Sequence, residues 1–241
     1  MATEPTRGPW AERAASLYDG PYARHYRERD EQLQQVASNQ GLIDWLGATC
    51  DRFDKPIDVL DLGCGTGRYF WGLRGVNSLV GLDASDAMLA EARHPVHAEC
   101  VDTSRLTLVR GDLMNHDFGT EVFDLVYSIG VLAEHVPLNE RVIARVRRWL
   151  KPGGRFAFTT VHPASPSVPR TGPRRLAEWA LPLVPEALSR ALHQRFVVGG
   201  MYGDERWLRE QLAAGFVIEQ LERFRTDVHL HGLCVARKVA R

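Results

Sequence analysis

Asp61-Leu62-Gly63-Cys64-Gly65-Thr66-Gly67 is the segment of this chain whose residue types and spacing say most about chemistry. Three glycines at alternate positions admit positive φ and let the backbone approach a ligand closely. The carboxylate in front of them sets the ligand's charge. It repels a diphosphate and attracts a cation such as an ammonium or a sulfonium. Two further acids end apolar runs: Asp83 in LVGLDAS and Asp112 in VRGD. A carboxylate accepts two hydroxyl hydrogen bonds at once. His135 and His162 are of the type that exchanges a proton near neutral pH.

These residues need elements that hold them at one edge of a sheet. IDVLDL (57–62) is a short apolar run ending in glycines, as a buried parallel strand does. A helix is expected from about Gly67 to Leu73, then a strand over 78–83 and a helix from Ser85 to Arg93, with Ser85 as its cap. Strands are predicted at 106–112, 123–129 and 155–161. A helix over 138–150 presents Val142, Ile143, Val146, Trp149 and Leu150 as one stripe and stops at KPGG. A helix at 204–214 and strands at 215–224 and 227–237 follow. The last two lack a crossover helix and are predicted to be antiparallel. The fold class is α/β, a doubly wound seven-stranded sheet, mostly parallel, with an antiparallel final pair. Ahead of it, residues 1–9 read as frayed and Trp10 to Cys50 as helical, with Tyr18, Tyr22 and Tyr26 on one face and a helix start at Asp19 and Pro21. Residues 162–202 interrupt the rhythm with six prolines around a helical piece, EALSRALHQRF. The organisation is then a helical cap (1–55), an α/β core (56–161), a lid insertion (162–202) and a closing helix and strand pair (203–241), all in one domain.

In such sheets the ligand crevice lies at the carboxyl edge where strand order reverses. A nicotinamide dinucleotide fails there on spacing. Its G-x-G-x-x-G fingerprint puts Arg68 in the sixth place counted from Gly63, and Phe70 counted from Gly65.

VLDLGCGTGR resembles the first motif of class I S-adenosylmethionine (SAM)-dependent methyltransferases, and the resemblance extends over roughly residues 55–160 and the final strand pair. It implies that Asp61, Gly63, Cys64, Gly65 and Gly67 hold the amino acid end of SAM. Asp83, with Ala84 and Met88 after it, would take the ribose hydroxyls. Asp112 would sit near the adenine amino group, with Gly111 and Leu113 beside the ring. FDLVYSIGVL resembles the fourth-strand motif, which puts Ser128 and Ile129 on the methionine side. N-terminal helices close over the cofactor in many small-molecule members, which brings Tyr18, Tyr22 and Tyr26 into consideration as pocket residues; helix packing is the other reading of the stripe. S-adenosylhomocysteine would be the product.

Methyl transfer from a sulfonium is an in-line displacement that needs alignment above all, and a base only where the acceptor must lose a proton. His135 and His162, both beyond the carboxyl edge, are the catalytic candidates. Either also fits a loop-capping histidine. Nucleic-acid amino methylation needs a D/N-P-P-Y/F clamp, but the position reads Ser128-Ile129-Gly130-Val131. No cysteine follows a proline, no paired-glutamate loop is evident, and no Asp stands at 128 or 129, so no metal is expected. What remains is an oxygen, or else a nitrogen, of a small metabolite, as in natural-product tailoring. The alternatives are an RNA or protein methyltransferase, or a SAM-binding partner subunit without chemistry.

The 241-residue composition agrees. Net charge is zero, with 44% hydrophobic and 25% charged residues. This gives no global basic field for a polyanion, so no nucleic-acid partner is expected. Arg170, Arg174, Arg175, Arg190 and Arg195 face only Glu178 and Glu186 in the insertion, which suits an anionic acceptor or a solvated surface. Trp179, Phe196, Met201 and Tyr202 suit pocket walls or packing within the insertion. The four cysteines show no paired spacing, and no apolar run approaches the ~20 residues that span a bilayer. A cytoplasmic monomer or homodimer with no membrane partner is the expectation.

Overall fold

Val59, Leu60 and Leu62 are fully enclosed, because the strand that carries them lies near the middle of a seven-stranded sheet with order β3-β2-β1-β4-β5-β7-β6. The computed structural model describes residues 8–18, 20–168, 172–180, 183–185, 188, 192 and 202–239. The strands are β1 (Ile57–Leu62), β2 (Val76–Asp83), β3 (Leu106–Arg110), β4 (Phe123–Ser128), β5 (Leu150–Val161), β6 (Phe216–Arg225) and β7 (Leu230–Lys238). The first five run parallel, and β7 pairs antiparallel with both β5 and β6. Strand order reverses between β1 and β4, which opens the crevice at their carboxyl ends. This is the doubly wound sheet expected from the sequence, antiparallel final pair included.

Helices cover both faces: α1 (Pro9–Leu17), α2 (Gly20–Leu33), α3 (Ala37–Cys50), α4 (Asp86–Ala92), α5 (Glu140–Trp149), α6 (Gly172–Ala180) and α7 (Glu205–Leu212). One core layer joins α5 and α7 to the sheet through Val146, Trp149, Phe156 and Leu208. The other joins α3 through Leu42, Ile43 and Leu46 to Val59 and Leu125. Caps fall where short polar side chains meet free backbone donors. Ser85, Asn139 and Asp204 accept from the amides of Met88, Val142 and Trp207.

Four expectations change. The helix at Gly67–Leu73 is a loop with one 3-10 turn, Phe70–Gly72, because the chain leaves Gly67 at φ +76°. The Trp10–Cys50 stretch is three helices, and Tyr18 lies at the bend between the first two. The tyrosines therefore do not share one helical face. β5 starts at Leu150, which pairs with Phe123, and KPGG is a register shift within the strand, bending through Gly153 (φ +74°) before pairing resumes at Arg155. Pro9, read as frayed, begins α1. Residues 1–7, Asp19, most of EALSRALHQRF including Phe196, and Met201 lie outside the described residues.

Candidate functional site

The glycine turn leaves β1 with Gly63, Gly65 and Gly67 all at positive φ, +77°, +53° and +76°, a region costly for any side chain bearing Cβ. Space forbids a side chain as well. A Cβ on Gly63 would stand 2.5 Å from Val131 Cγ2. The amides of Gly63 and Cys64 both donate to the Leu82 carbonyl, at 2.8 and 3.0 Å, and the Gly67 amide closes the turn on the Cys64 carbonyl at 2.9 Å. Cys64 is buried, and burial pushes its thiol well above the usual range, so it serves here as a small residue, not as a nucleophile.

Asp83 ends the neighbouring strand. Its carboxylate accepts from the Gly65 amide (2.9 Å) and the Ser85 amide (2.9 Å), which fixes its orientation toward the crevice. Burial raises its pKa despite those donors. Asp61 is 3% exposed and makes no ion pair among the described residues; burial pushes its pKa up to about 8, with the Asp83 carboxylate adding to the rise. A carboxylate pair this deep is short of positive charge, and an ammonium or sulfonium supplies it. That unmet need is the observation on which SAM fits the residues present.

At the far end Asp112 accepts from the Met114 amide (2.8 Å), the Asn115 side chain (2.8 Å) and, across the molecule, the Gly8 amide (2.9 Å). The segment leading into α1 thus closes on this carboxylate, and Ala11 lines the crevice behind it.

The loop after β4 supplies the opposite wall. Gly130 donates to Thr159 Oγ1 (2.9 Å), and Ala133 adopts φ +58°. A non-glycine there costs about 1–3 kcal/mol, and the strain turns Glu134 and His135 toward the N-terminal helices. Tyr18 Oη lies 3.0 Å from His135 Nε2. Burial pushes the Tyr18 pKa up to about 12, with Tyr22 and Glu134 adding to the rise. Burial likewise lifts Glu134 to about 7. The rings of Tyr22 and Tyr26 lie 5.5 and 5.9 Å from that of Tyr18, so the three tyrosines cluster although they do not share a helix.

The cleft so formed encloses about 990 Å³, open solvent at its mouth included. It brings together Tyr18, Tyr26, Asp61, Gly63, Cys64, Gly65, Asp83, Ala84, Met88, Gly111, Asp112, Leu113, Ile129 and His135. Four candidates stand outside its lining. Tyr22 packs on the other rings, and Gly67 shapes the turn from behind. Ser128 is fully buried, its hydroxyl donating to the Leu62 carbonyl at 2.8 Å. His162 is buried at the end of β5, where Nδ1 accepts from the Ala164 amide (3.0 Å) and Nε2 faces Glu205 Oε2 at 3.2 Å. Glu205 itself is held down to about 2 by Arg223 and then His162. These contacts make His162 a staple between β5 and α7.

Residues the sequence reading passed over also line the cleft. Arg68 does, and it donates to Asp30 Oδ1 (3.0 Å) and to Tyr69 Oη (2.5 Å). Asp30 is fully buried on α2 and also takes the Thr66 hydroxyl, so α2 is pinned to the glycine turn by one carboxylate. Arg68 directly follows the last glycine of the motif, a position that advertises itself. Asp30 sits in a run of charges, RERDEQ, indistinguishable from a solvated face. Among the described residues no group of three or more His, Cys, Asp or Glu side chains is placed to hold a metal ion.

A family described as a methyltransferase domain matches residues 59–154. The sterol 24-C-methyltransferase of Debaryomyces hansenii is 36% identical over 107 residues, 44% of this chain and 28% of that protein. The chain thus spans little more than a quarter of that relative's length. A solved S-adenosylmethionine-dependent methyltransferase from Mesorhizobium loti is 26% identical, with TM-score 0.57, covering 83% of this chain and 100% of that one. The [4+2]-cyclase SpnF, 17% identical, covers 98% of this chain and 99% of its own with TM-score 0.67, a likeness of fold.

Proposed function

We propose that this chain, whose core carries the methyltransferase domain of the class I SAM-dependent family, binds SAM along β1–β3 and transfers its methyl group to a small molecule entering beside Tyr18 and His135. The buried carboxylate Asp61, lacking a cation among the described residues at the end of β1, carries the cofactor half of this reading. SAM supplies an electrophilic methyl group. The chain's own residues do the rest. Asp61 and the glycine turn hold the cationic amino acid end, Asp83 offers its remaining lone pairs to two ribose hydroxyls, and Leu113 and Met88 give the base an apolar slot. Tyr18 and His135, 3.0 Å apart, orient an acceptor hydroxyl and take its proton on the imidazole. An oxygen acceptor is favoured on that pair over nitrogen. A second reading, methylation at carbon, is favoured by the name of the curated relative; it needs the tyrosine cluster and Glu134 more than it needs a base at His135.

Titration calorimetry with SAM and S-adenosylhomocysteine tests the binding half, and absence of heat at millimolar ligand removes it. Transfer of a labelled methyl group into a metabolite extract tests the chemistry. Because a cyclase shares the fold, binding without turnover would leave a SAM-binding protein that is not a methyltransferase.

A further inference from the structure

At the opposite edge of the sheet from the cleft, where β4 and β5 begin, a second cavity encloses about 710 Å³, open solvent at its mouth included. The last turn of α5 walls one side with Arg147 and Arg148, and the end of β7 walls another with Lys238. Three cations there meet one acid, Glu121. Two of the three are engaged. Arg148 donates to Thr120 Oγ1 (3.2 Å) and Asp117 Oδ2 (3.1 Å). Lys238, 8% exposed, donates to Glu121 Oε1 (3.1 Å) and the Leu150 carbonyl (2.6 Å). Arg147 differs: its Nε is buried without a hydrogen-bond partner, and no carboxylate among the described residues pairs with its guanidinium. The side chain is nonetheless held in place. It lies against Gly215, where a Cβ would stand 2.5 Å from Arg147 Cδ and 2.6 Å from Nε. Gly215 has no positive φ, so room for the arginine is what requires a glycine there.

A seated guanidinium without a carboxylate, flanked by two partly neutralised cations, is matched by an anion, and its planar fork takes two oxygens of a phosphate at once. The negative end of the α5 dipole would oppose an anion here, but that end is closed. The Arg148 and Trp149 carbonyls accept the Glu121 and Val122 amides at 2.9 and 2.8 Å, and Lys238 covers the Leu150 carbonyl. Glu121 meets Lys238 through Oε1, which leaves Oε2 for a ligand hydroxyl, and Ala144 and Pro152 give a short carbon chain an apolar wall. We propose that this cavity binds a small hydroxylated phosphate monoester, with Arg147 as its principal partner. The site stands apart from the methyl-transfer reading, and its failure would leave SAM binding untouched.

The test follows the melting temperature of the full chain against glycerol 3-phosphate at constant ionic strength, with and without saturating S-adenosylhomocysteine. A saturable rise that S-adenosylhomocysteine does not abolish, and that glycerol with sodium chloride does not reproduce, is the expected result. Arg147→Met weakens the apparent affinity about tenfold. Arg147→Lys, which keeps the charge and loses the fork, falls between that variant and the parent. Arg105→Met, an exposed arginine elsewhere on the same edge, leaves the affinity unchanged. Absence of a saturable rise overturns the proposal, as does a rise of equal midpoint in Arg147→Met. Loss of the rise with S-adenosylhomocysteine also overturns it, because the ester would then sit in the cleft. So does a rise seen only after deletion of residues 240–241, because the chain's own terminal carboxylate would then be the occupant.

Discussion

Asp58 and Asp61 stand three residues apart on one strand, and the two ends of that strand treat a carboxylate in opposite ways. At the amino end, Asp58 and Asp124 share Lys151, whose ammonium lies 2.6 and 2.7 Å from them, and Lys55 adds a 2.8 Å contact to Asp124. Asp124 also takes the Asp58 amide at 3.0 Å. Hydrogen bonds from Lys151, Ser78 and Asn77 outweigh burial and draw Asp58 down to about 2. At the carboxyl end burial wins, and Asp61 rises to about 8. One cluster is charge-balanced by the fold itself, so it serves stability. The other is left short of a cation, so it serves binding, at a cost to the ligand-free protein.

Asp83→Ala gives the largest expected departure. Losing two hydrogen bonds to a charged acceptor, each worth about 1.5–3 kcal/mol, weakens SAM binding at least a hundredfold by calorimetry while the fold persists. Asp61→Asn removes one such interaction and weakens binding by about 1.5–3 kcal/mol, yet the ligand-free variant melts no lower than the parent. Lys151→Met has the reverse profile. It leaves Asp58 without an ammonium partner and Asp124 with Lys55 alone, and lowers stability by about 1–3 kcal/mol in denaturant titration, with cofactor affinity little changed. A variant that fails in both respects would mean the two ends are not separable.

The pH response sharpens the same contrast. Asp61 has its folded pKa raised to about 8, above its value in the unfolded chain, so its favourable contribution is complete in acid and is lost as pH rises toward 8. Asp58, lowered to about 2, contributes fully at neutral pH and loses its contribution as acid protonates it. The melting temperature of Asp61→Asn should therefore gain on that of the parent as pH climbs from about 5 to about 8. Saturating S-adenosylhomocysteine, which brings its own ammonium, should shrink that gain. A gap independent of pH would show that Asp61 is not the titrating group. The smallest effect is expected from Tyr18→Phe, which removes one neutral hydrogen bond worth about 1 kcal/mol to His135 and should alter turnover of an oxygen acceptor more than SAM affinity.

Sequence alone determined the parallel sheet, its antiparallel closing pair and the glycine turn, because strand periodicity, caps and positive-φ glycines are local requirements written in consecutive residues. It also carried Asp61, Asp83 and Asp112, each tied to the end of a readable strand. It failed where separation in the chain is large. Neither the Asp30–Arg68 contact from α2 to the turn nor the Gly8 clasp on Asp112 leaves a periodic trace. His135 and His162 looked alike as residues beyond strands. Only packing separated them, by bringing Tyr18 to one and Glu205 to the other. Tertiary structure decided these points because a side chain's role depends on which distant partner reaches it first, and such contacts have no period.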